Sequence, residues 1–551
     1  MRNNYEQPKK SSNFIVQGGI LAITGIISRI IGLVYRVPLQ KYIGDAGMGY
    51  YSAAFQIYSL MLIISSYSLP VAVSKLVAGR VARGEYKNAR RLYHGALLFA
   101  CITGGATCMI VLFGADTLAS SIMSMPKSAI ALRMLAPTLL IVAIMGVMRG
   151  YFQGMGTMVP TASSQLIEQI VNAVVSVAAG LYLYEYGGNV AKILRDEEYQ
   201  PAWGAAGGTI GTGAGALAGL ITLIIILIIY SRRFSYSVEN DFTDRVDSFG
   251  HIFYGIVITV LPVILSTTIY NISDTLDQGL FNYLMDAKGL TSIKAEYWGM
   301  YSTKYRVLTN VPIALANALC SSMMPALTSC IERGERKQAR HKVAVATRFN
   351  MIISIPCAVG LAVLGKPIIS MLFAGEVDIP ANMLRFGSVA VVFYSLSTLS
   401  NGVLQGIDKM RLPVRHAAIA LVLHLGVMYL TVGVLDMKLY GVVISCVLFA
   451  LIVCILNWIS IRKYLRYRQE IRRTFIIPTI ASAVMGGVVW LIYYFMSKAL
   501  GDLICVAVSV CVGAVVYFVV LLLLRGVRES EIRSLPGGRI VLSIARLLHL
   551  M

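Results

Sequence analysis

The feature that most narrows what this chain can become is a succession of apolar blocks, each about 20 to 28 residues long and separated by short polar stretches. As a helix, a block of that length crosses a hydrocarbon core about 30 Å thick. Lipid offers the backbone no hydrogen-bond partners, so only helices and closed barrels can span it. Continuous apolar runs lack the alternation that barrel strands require. Hydrophobic residues make up 57% of the chain and charged ones 14%, where a soluble domain has about 45–50% and about 25%. That balance excludes disorder and argues against a soluble enzyme. The expected fold is an all-α polytopic membrane protein.

Fourteen spans are expected, near 14–36, 48–74, 92–114, 128–148, 158–184, 204–230, 250–275, 297–325, 343–372, 382–404, 413–435, 439–460, 474–497 and 502–524. The net charge of +21 has a topological explanation, because Lys and Arg concentrate at 75–91, 333–348, 462–473 and in the tail after 524. The opposite loops are sparse or acidic, as at Asp196, Glu197 and Glu198. By the positive-inside rule both termini are cytoplasmic, which an even span count requires, and nucleic-acid binding is not expected. The first block shows no small-residue cleavage site, so it is expected to stay attached as span 1. After Gly538 the sequence RIVLSIARLLHLM reads as a basic amphipathic helix on the inner leaflet, in contact with membrane lipids. The nine cysteines lie in or beside apolar blocks, with neither a disulfide framework nor zinc spacing, and no metal site is expected.

An internal repeat organises the spans. RGEYKNAR at 83–90 recurs 250 residues later as RGERKQAR at 333–340, and Gly49, Tyr51 and Ser52 match Gly299, Tyr301 and Ser302 at the same offset. At an offset of 252, Leu132, Arg133, Gln153 and Gly154 match Leu384, Arg385, Gln405 and Gly406. Spans 1–6 and 7–12 therefore read as two copies of one unit. Each copy has an even number of spans, which makes the repeat parallel. The expected organisation is an N-lobe over 1–240, a C-lobe over 241–470, and a terminal helix pair with its tail over 471–551. Two lobes of this kind are a plan of alternating-access transporters.

Charges within spans cost at least about 2.5–3.5 kcal/mol each and so mark candidate sites. Arg29 and Arg36 lie seven residues apart in span 1, on one helical face. Lys304 and Arg306 in span 8 point in nearly opposite directions, and of the two Arg306 is favoured to line a cavity. Among acids, Glu168 in span 5 and Asp274 in span 7 are candidate counter-ions or ion-coupling groups, and Asp277 sits at the end of span 7. A net cationic cavity suits an anion, and arginine forks suit phosphate oxygens.

The stretches SRIIGLVYRVPLQKYIGDAGMGYYSAAF at 28–55 and SLPVAVSKLVAGRVARGEYKNARR at 68–91 resemble the multidrug, oligosaccharidyl-lipid and polysaccharide exporter superfamily. Within it they are similar to the branch of stage V sporulation protein B, YtgP and the MurJ-type lipid II flippases. The resemblance extends over all fourteen spans. It implies two six-helix lobes plus a helix pair, and export of an undecaprenyl-diphosphate-linked cell-wall precursor in the bacterial cytoplasmic membrane. It also implies that the essential arginines fall on Arg29, Arg36 and Arg306.

The glycine-rich stretch 204–219 lacks the ending of a nucleotide loop and reads as close helix packing. The six histidines are scattered and no catalytic constellation accompanies them, so neither an enzyme nor a cofactor is expected. The leading expectation is a monomeric flippase for a lipid-linked diphosphate oligosaccharide, lipid II first. A flippase for another polyprenyl-linked oligosaccharide and a cation-coupled multidrug exporter are the alternatives.

Overall fold

The computed structural model describes residues 10–239, 241, 247–498 and 501–527, and among them every regular element is helical. Helix occupies each of the fourteen expected spans, but ten helices are long and apolar enough to cross a membrane. The number rises to eleven if the pair Asp378–Gly387 and Val389–Gly406, bent by 50°, is one span. Expected spans 1 and 7 contribute only the shorter apolar stretches Ile23–Val34 and Phe249–Leu261 to that comparison. Span 8 carries Lys304 and Arg306 in its first half, with Lys294 and Glu296 just before it. The amphipathic tail expected after 538 lies outside the described residues.

The chain divides into two compact units, Met1–Gly299 and Met300–Met551. The first holds α1 (Lys10–Val34), α2 (Arg36–Leu62), α3 (Leu69–Ala82), α4 (Tyr86–Met123), α5 (Ser128–Gly154), α6 (Val159–Leu194), α7 (Tyr199–Glu239), α8 (Phe249–Ala287) and α9 (Lys294–Gly299). Within the first unit, α8 and α9 pack against the helices that precede them. The reason is a set of buried polar ties. Gln278 accepts from Ser52 Oγ at 3.2 Å, Trp298 Nε1 donates to the same oxygen at 3.2 Å, and Asn282 donates to the Met123 carbonyl at 2.7 Å.

Small residues let these helices approach closely. A Cβ on Gly207 would stand 2.2 Å from the Ala179 carbonyl, and one on Gly215 would stand 2.5 Å from that of Glu168. The glycine-rich stretch is thus the seam between α6 and α7. The Ser176 hydroxyl reinforces it by donating to the Gly208 carbonyl at 2.8 Å. Contacts between connections sort by parity. Arg80 pairs with Asp247 at 2.6 Å and the Lys87 amide donates to Asp241 at 2.6 Å, tying α3–α4 to α7–α8. Lys127 meets Glu198 at 2.8 Å and Lys294 meets Asp286 at 2.6 Å, among the alternate connections. That sorting is what successive antiparallel crossings produce.

The second unit holds α10 (Arg306–Glu332), α11 (Arg336–Leu372), α12 (Asp378–Gly387), α13 (Val389–Gly406), α14 (Arg411–Met428), α15 (Lys438–Leu465), α16 (Ile477–Met496) and α17 (Asp502–Leu523). The pair α16 and α17 docks on α11 through Ile352, Leu364, Met485 and Tyr517, whose hydroxyl donates to the Ile352 carbonyl at 2.8 Å. The expected span 10 is broken at Ser388 into α12 and α13. There the Tyr305 hydroxyl donates to the Gly387 carbonyl at 2.9 Å, satisfying a group that the bend releases.

The repeated motifs fold alike. Gly84 and Gly334 have φ of 78° and 75°, a region open to glycine. Their amides donate to Val81 and Ile331, and the Glu85 and Glu335 amides to Arg80 and Cys330. At the other matched site, the Thr157 and Lys409 amides donate to the Phe152 and Leu404 carbonyls, at 3.1 and 2.9 Å.

Candidate functional site

In the first unit, α1 lies along α6, with Gly32 brought against Gln169. Ser28 is buried, whereas Arg29, the next residue, is exposed. Among the described residues Arg29 makes no ion pair and no side-chain hydrogen bond. It stands in an apolar helix flanked by exposed isoleucines at 26, 27 and 30. Arg36 is half-buried at the start of α2. Beside it the Tyr35 hydroxyl lies 3.1 Å from that of Tyr51, and the Arg36 charge acts on the Tyr51 phenol. Gly44, at φ 71°, breaks α2 just after this turn, and Gln40 spans the break by donating to Asp45 at 2.9 Å.

Glu168 is committed to Arg149 at 2.7 Å, and the same guanidinium donates through Nε to Ser164 at 3.0 Å. This makes Glu168 a counter-ion within the first unit. Asp274 is half-buried on α8, and Asp277, one turn on, is 4% exposed. Outside the spans, a hydrogen bond from Lys127 holds the Asp196 carboxyl below its usual range.

In the second unit, a π-helical turn over Met300–Tyr305 leads into α10 and is pinned on three sides. The Tyr301 hydroxyl lies 3.1 Å from Cys446 Sγ, and Tyr305 reaches Gly387 as above. Lys304 is fully buried and donates to the Ala374 and Glu376 carbonyls at 2.8 and 2.7 Å. Its ammonium therefore ties the turn to the α11–α12 connection. Arg306 follows, half-buried, as the first residue of α10.

Three buried or partly buried polar arrangements were not legible as such. Arg149 falls one residue past the expected end of span 4, but α5 continues to Gly154. The turn after that glycine, matched in the repeat, was the available signal. Arg348 on α11 pairs with Glu470 with its side chain 5% exposed. His416 Nδ1 lies 2.7 Å from Asn457 Oδ1, and Asn457 donates to Ser400 and Asn401 at 2.8 and 2.7 Å. Nothing in their spacing joins those four residues before the helices pack.

Residues 15–331 match the family described as "Polysaccharide biosynthesis protein", and residues 262–430 match the MatE family. The lipid II flippase MurJ of Bacillus subtilis (strain 168) is 26% identical over 549 residues, 95% of this chain and 96% of that protein. Stage V sporulation protein B of the same strain is 22% identical, covering 95% of this chain and 98% of that one. Among solved structures, a lipid II flippase MurJ in an inward closed conformation superposes with a TM-score of 0.64 at 15% identity, over 91% of this chain and 97% of that one. An inward-facing multidrug resistance MATE family transporter of the MOP superfamily gives 0.60 at 15% identity, over 80% and 94%. These two likenesses establish the fold.

Proposed function

The chain belongs to the polysaccharide biosynthesis protein family, and on that footing we propose that it is a flippase for an undecaprenyl-diphosphate-linked cell-wall precursor, lipid II first. It works by alternating access in a bacterial cytoplasmic membrane, as a monomer of fourteen spans in two six-helix lobes and a terminal pair, with both termini inside. The observation that carries this reading is Arg29. It is a permanent cation in an apolar helix, exposed and without an ion pair among the described residues. A group so costly to insert is retained where an anion meets it. Arg36 and Arg306 supply further guanidinium forks, each suited to two phosphate oxygens. Lys304 serves by fixing the turn that presents Arg306, and Asp274 is the remaining candidate for ion coupling. Membrane potential acting on a charged site contributes ~2.3 kcal/mol per charge per 100 mV.

The test is lipid II exposure on the outer leaflet of cells depleted of their own flippase. Wild type is expected to restore exposure, while Arg29→Ala and Arg306→Ala, at equal membrane abundance, are expected to lose it. Unchanged exposure in the double variant would sink the assignment of these arginines. Failure of a well-expressed wild type would move the cargo to another polyprenyl-linked oligosaccharide.

The MatE match over residues 262–430 favours a second reading, a cation-coupled multidrug exporter. Such a substrate needs an available acid, and Glu168 is already spent on Arg149.

A further inference from the structure

In the second unit a groove of about 320 Å³ opens between α11, α13, α15 and the segment leading into α16. Val343, Phe393, Leu451, Ile455 and Trp458 line it, and no charged side chain does. Ile455 and Trp458 are 47% and 42% exposed, so the groove is open along its α15 edge.

Its end has a different chemistry. Between α15 and the π-helical turn at Arg472–Ile476 the chain runs without helix from Arg466 to Glu470. Tyr467, Gln469 and Ile471 line the groove, while Arg466 before them and Arg468 between them are exposed and Glu470 is half-buried. The alternation sorts apolar and amide groups inward and guanidinium groups outward. Arg462 adds a cation 5.9 Å over the Trp458 ring, and Arg472 is exposed at the start of the turn. The stretch 462–473 holds six Lys and Arg against one acid, Glu470, which is taken by the buried Arg348. At the junction of the two zones stand two donors, the Tyr467 hydroxyl and Gln469 Nε2. Both atoms are buried; Gln469 Nε2 has no hydrogen-bond partner among the described residues, and the Tyr467 hydroxyl has the Thr347 side chain beside it, with Tyr467 itself 5% exposed.

An apolar slot, then polar donors, then a cationic rim is the layered order of a phospholipid: acyl chain, ester carbonyls, phosphate. We propose that this groove is a binding site for one anionic glycerophospholipid. The lipid comes from the leaflet facing residues 462–473, which the positive-inside rule makes the cytoplasmic one. One acyl chain lies against Phe393, Ile455 and Trp458. The ester oxygens accept from Tyr467 and Gln469, and the phosphate rests among Arg462, Arg468 and Arg472. Basic pockets between helices on that side of a membrane select anionic head groups. The site size favours a single acyl chain over a polyprenyl tail, since 320 Å³ lies at the small end of ligand sites, which run to about 1,000 Å³. The proposal does not depend on which cargo the protein carries.

The experiment uses the full chain in vesicles containing phosphatidylglycerol or phosphatidylcholine, each with the same photoactivatable acyl chain, and maps the labelled peptides. Phosphatidylglycerol is expected to label residues of α13, α15 and 466–475 at least about tenfold more than phosphatidylcholine, within what three arginines at a charged surface supply. A triple variant, Arg462→Gln, Arg468→Gln, Arg472→Gln, is expected to fall to the phosphatidylcholine level. Leu396→Trp, which fills the slot and leaves every charge in place, is expected to reduce labelling as well. Equal labelling by the two lipids, labelling confined to other helices, or displacement by a polyprenyl diphosphate but not by excess phosphatidylglycerol would each overturn the proposal. The wild-type comparison decides it even if a variant fails to fold.

Discussion

Two residues apart, Lys304 is fully buried against two carbonyls and Arg306 is half-buried, and a functional role is proposed for the second alone. Lys304 is buried against two carbonyls, so Lys304→Met leaves both acceptors unsatisfied at a cost of about 1–3 kcal/mol each. A fall in thermal midpoint in detergent is expected, with any loss of transport following from it. Arg306→Gln is expected to keep the midpoint and lose transport. If the two variants behave alike, the division of labour is wrong. The charges themselves were legible, because an arginine or lysine in an apolar block stands out in any reading of the chain. Their partners were not. Glu168 and Arg149 meet only because α5 outlasts its apolar stretch by a turn and a half and α6 returns beside it. Residue spacing along one helix fixes direction but carries no information about what the neighbouring helix presents there.

Helix positions were legible from length and apolarity alone, since lipid leaves a continuous apolar run no other way to satisfy its backbone. Breaks within helices were not. The π-helical turns at Ile63–Tyr67 and Met300–Tyr305 contain no proline or glycine that would mark a break, and the bend at Ser388 has only Gly387 beside it. What stabilises each is a tertiary hydrogen bond, such as that of Tyr305. Glycine proves the better guide at this scale. A Cβ on Gly49 would lie 1.9 Å from the Ala295 carbonyl, backbone against backbone, so Gly49→Ala forces α2 and α9 apart. Destabilisation of about 1–3 kcal/mol is expected, in the range of core overpacking. Gly25→Ala in α1 meets nothing within 4 Å and serves as the control, neutral or slightly stabilising through helix propensity. Equal thermal midpoints for the two variants would mean that the α2–α9 contact is not maintained in the membrane.

For the whole chain, the two-copy organisation is a proposal that rests on a handful of matched polar residues, and the turns at Gly84 and Gly334 share a left-handed φ. The extent of the compact units was not readable, because it depends on where Gln278, Asn282 and Trp298 find their partners, far from them in sequence. Orientation can be tested directly with single cysteines in a background lacking the exposed Cys101 and Cys511. In intact cells a membrane-impermeant maleimide is expected to label Glu197→Cys and to spare Arg83→Cys and Arg333→Cys. The opposite pattern would reverse the proposed topology. A drug-efflux assay adds a second check at this scale, with no protection against cationic drugs expected.

The contact at Gly49 also has a consequence for substitution. Gly49 faces the carbonyl of Ala295 and Gly299 faces that of Asp45, and these four residues form two pairs at an offset of 250. The crossing is thus closed from both sides by backbone, so a side chain added at either glycine meets a carbonyl of the other helix.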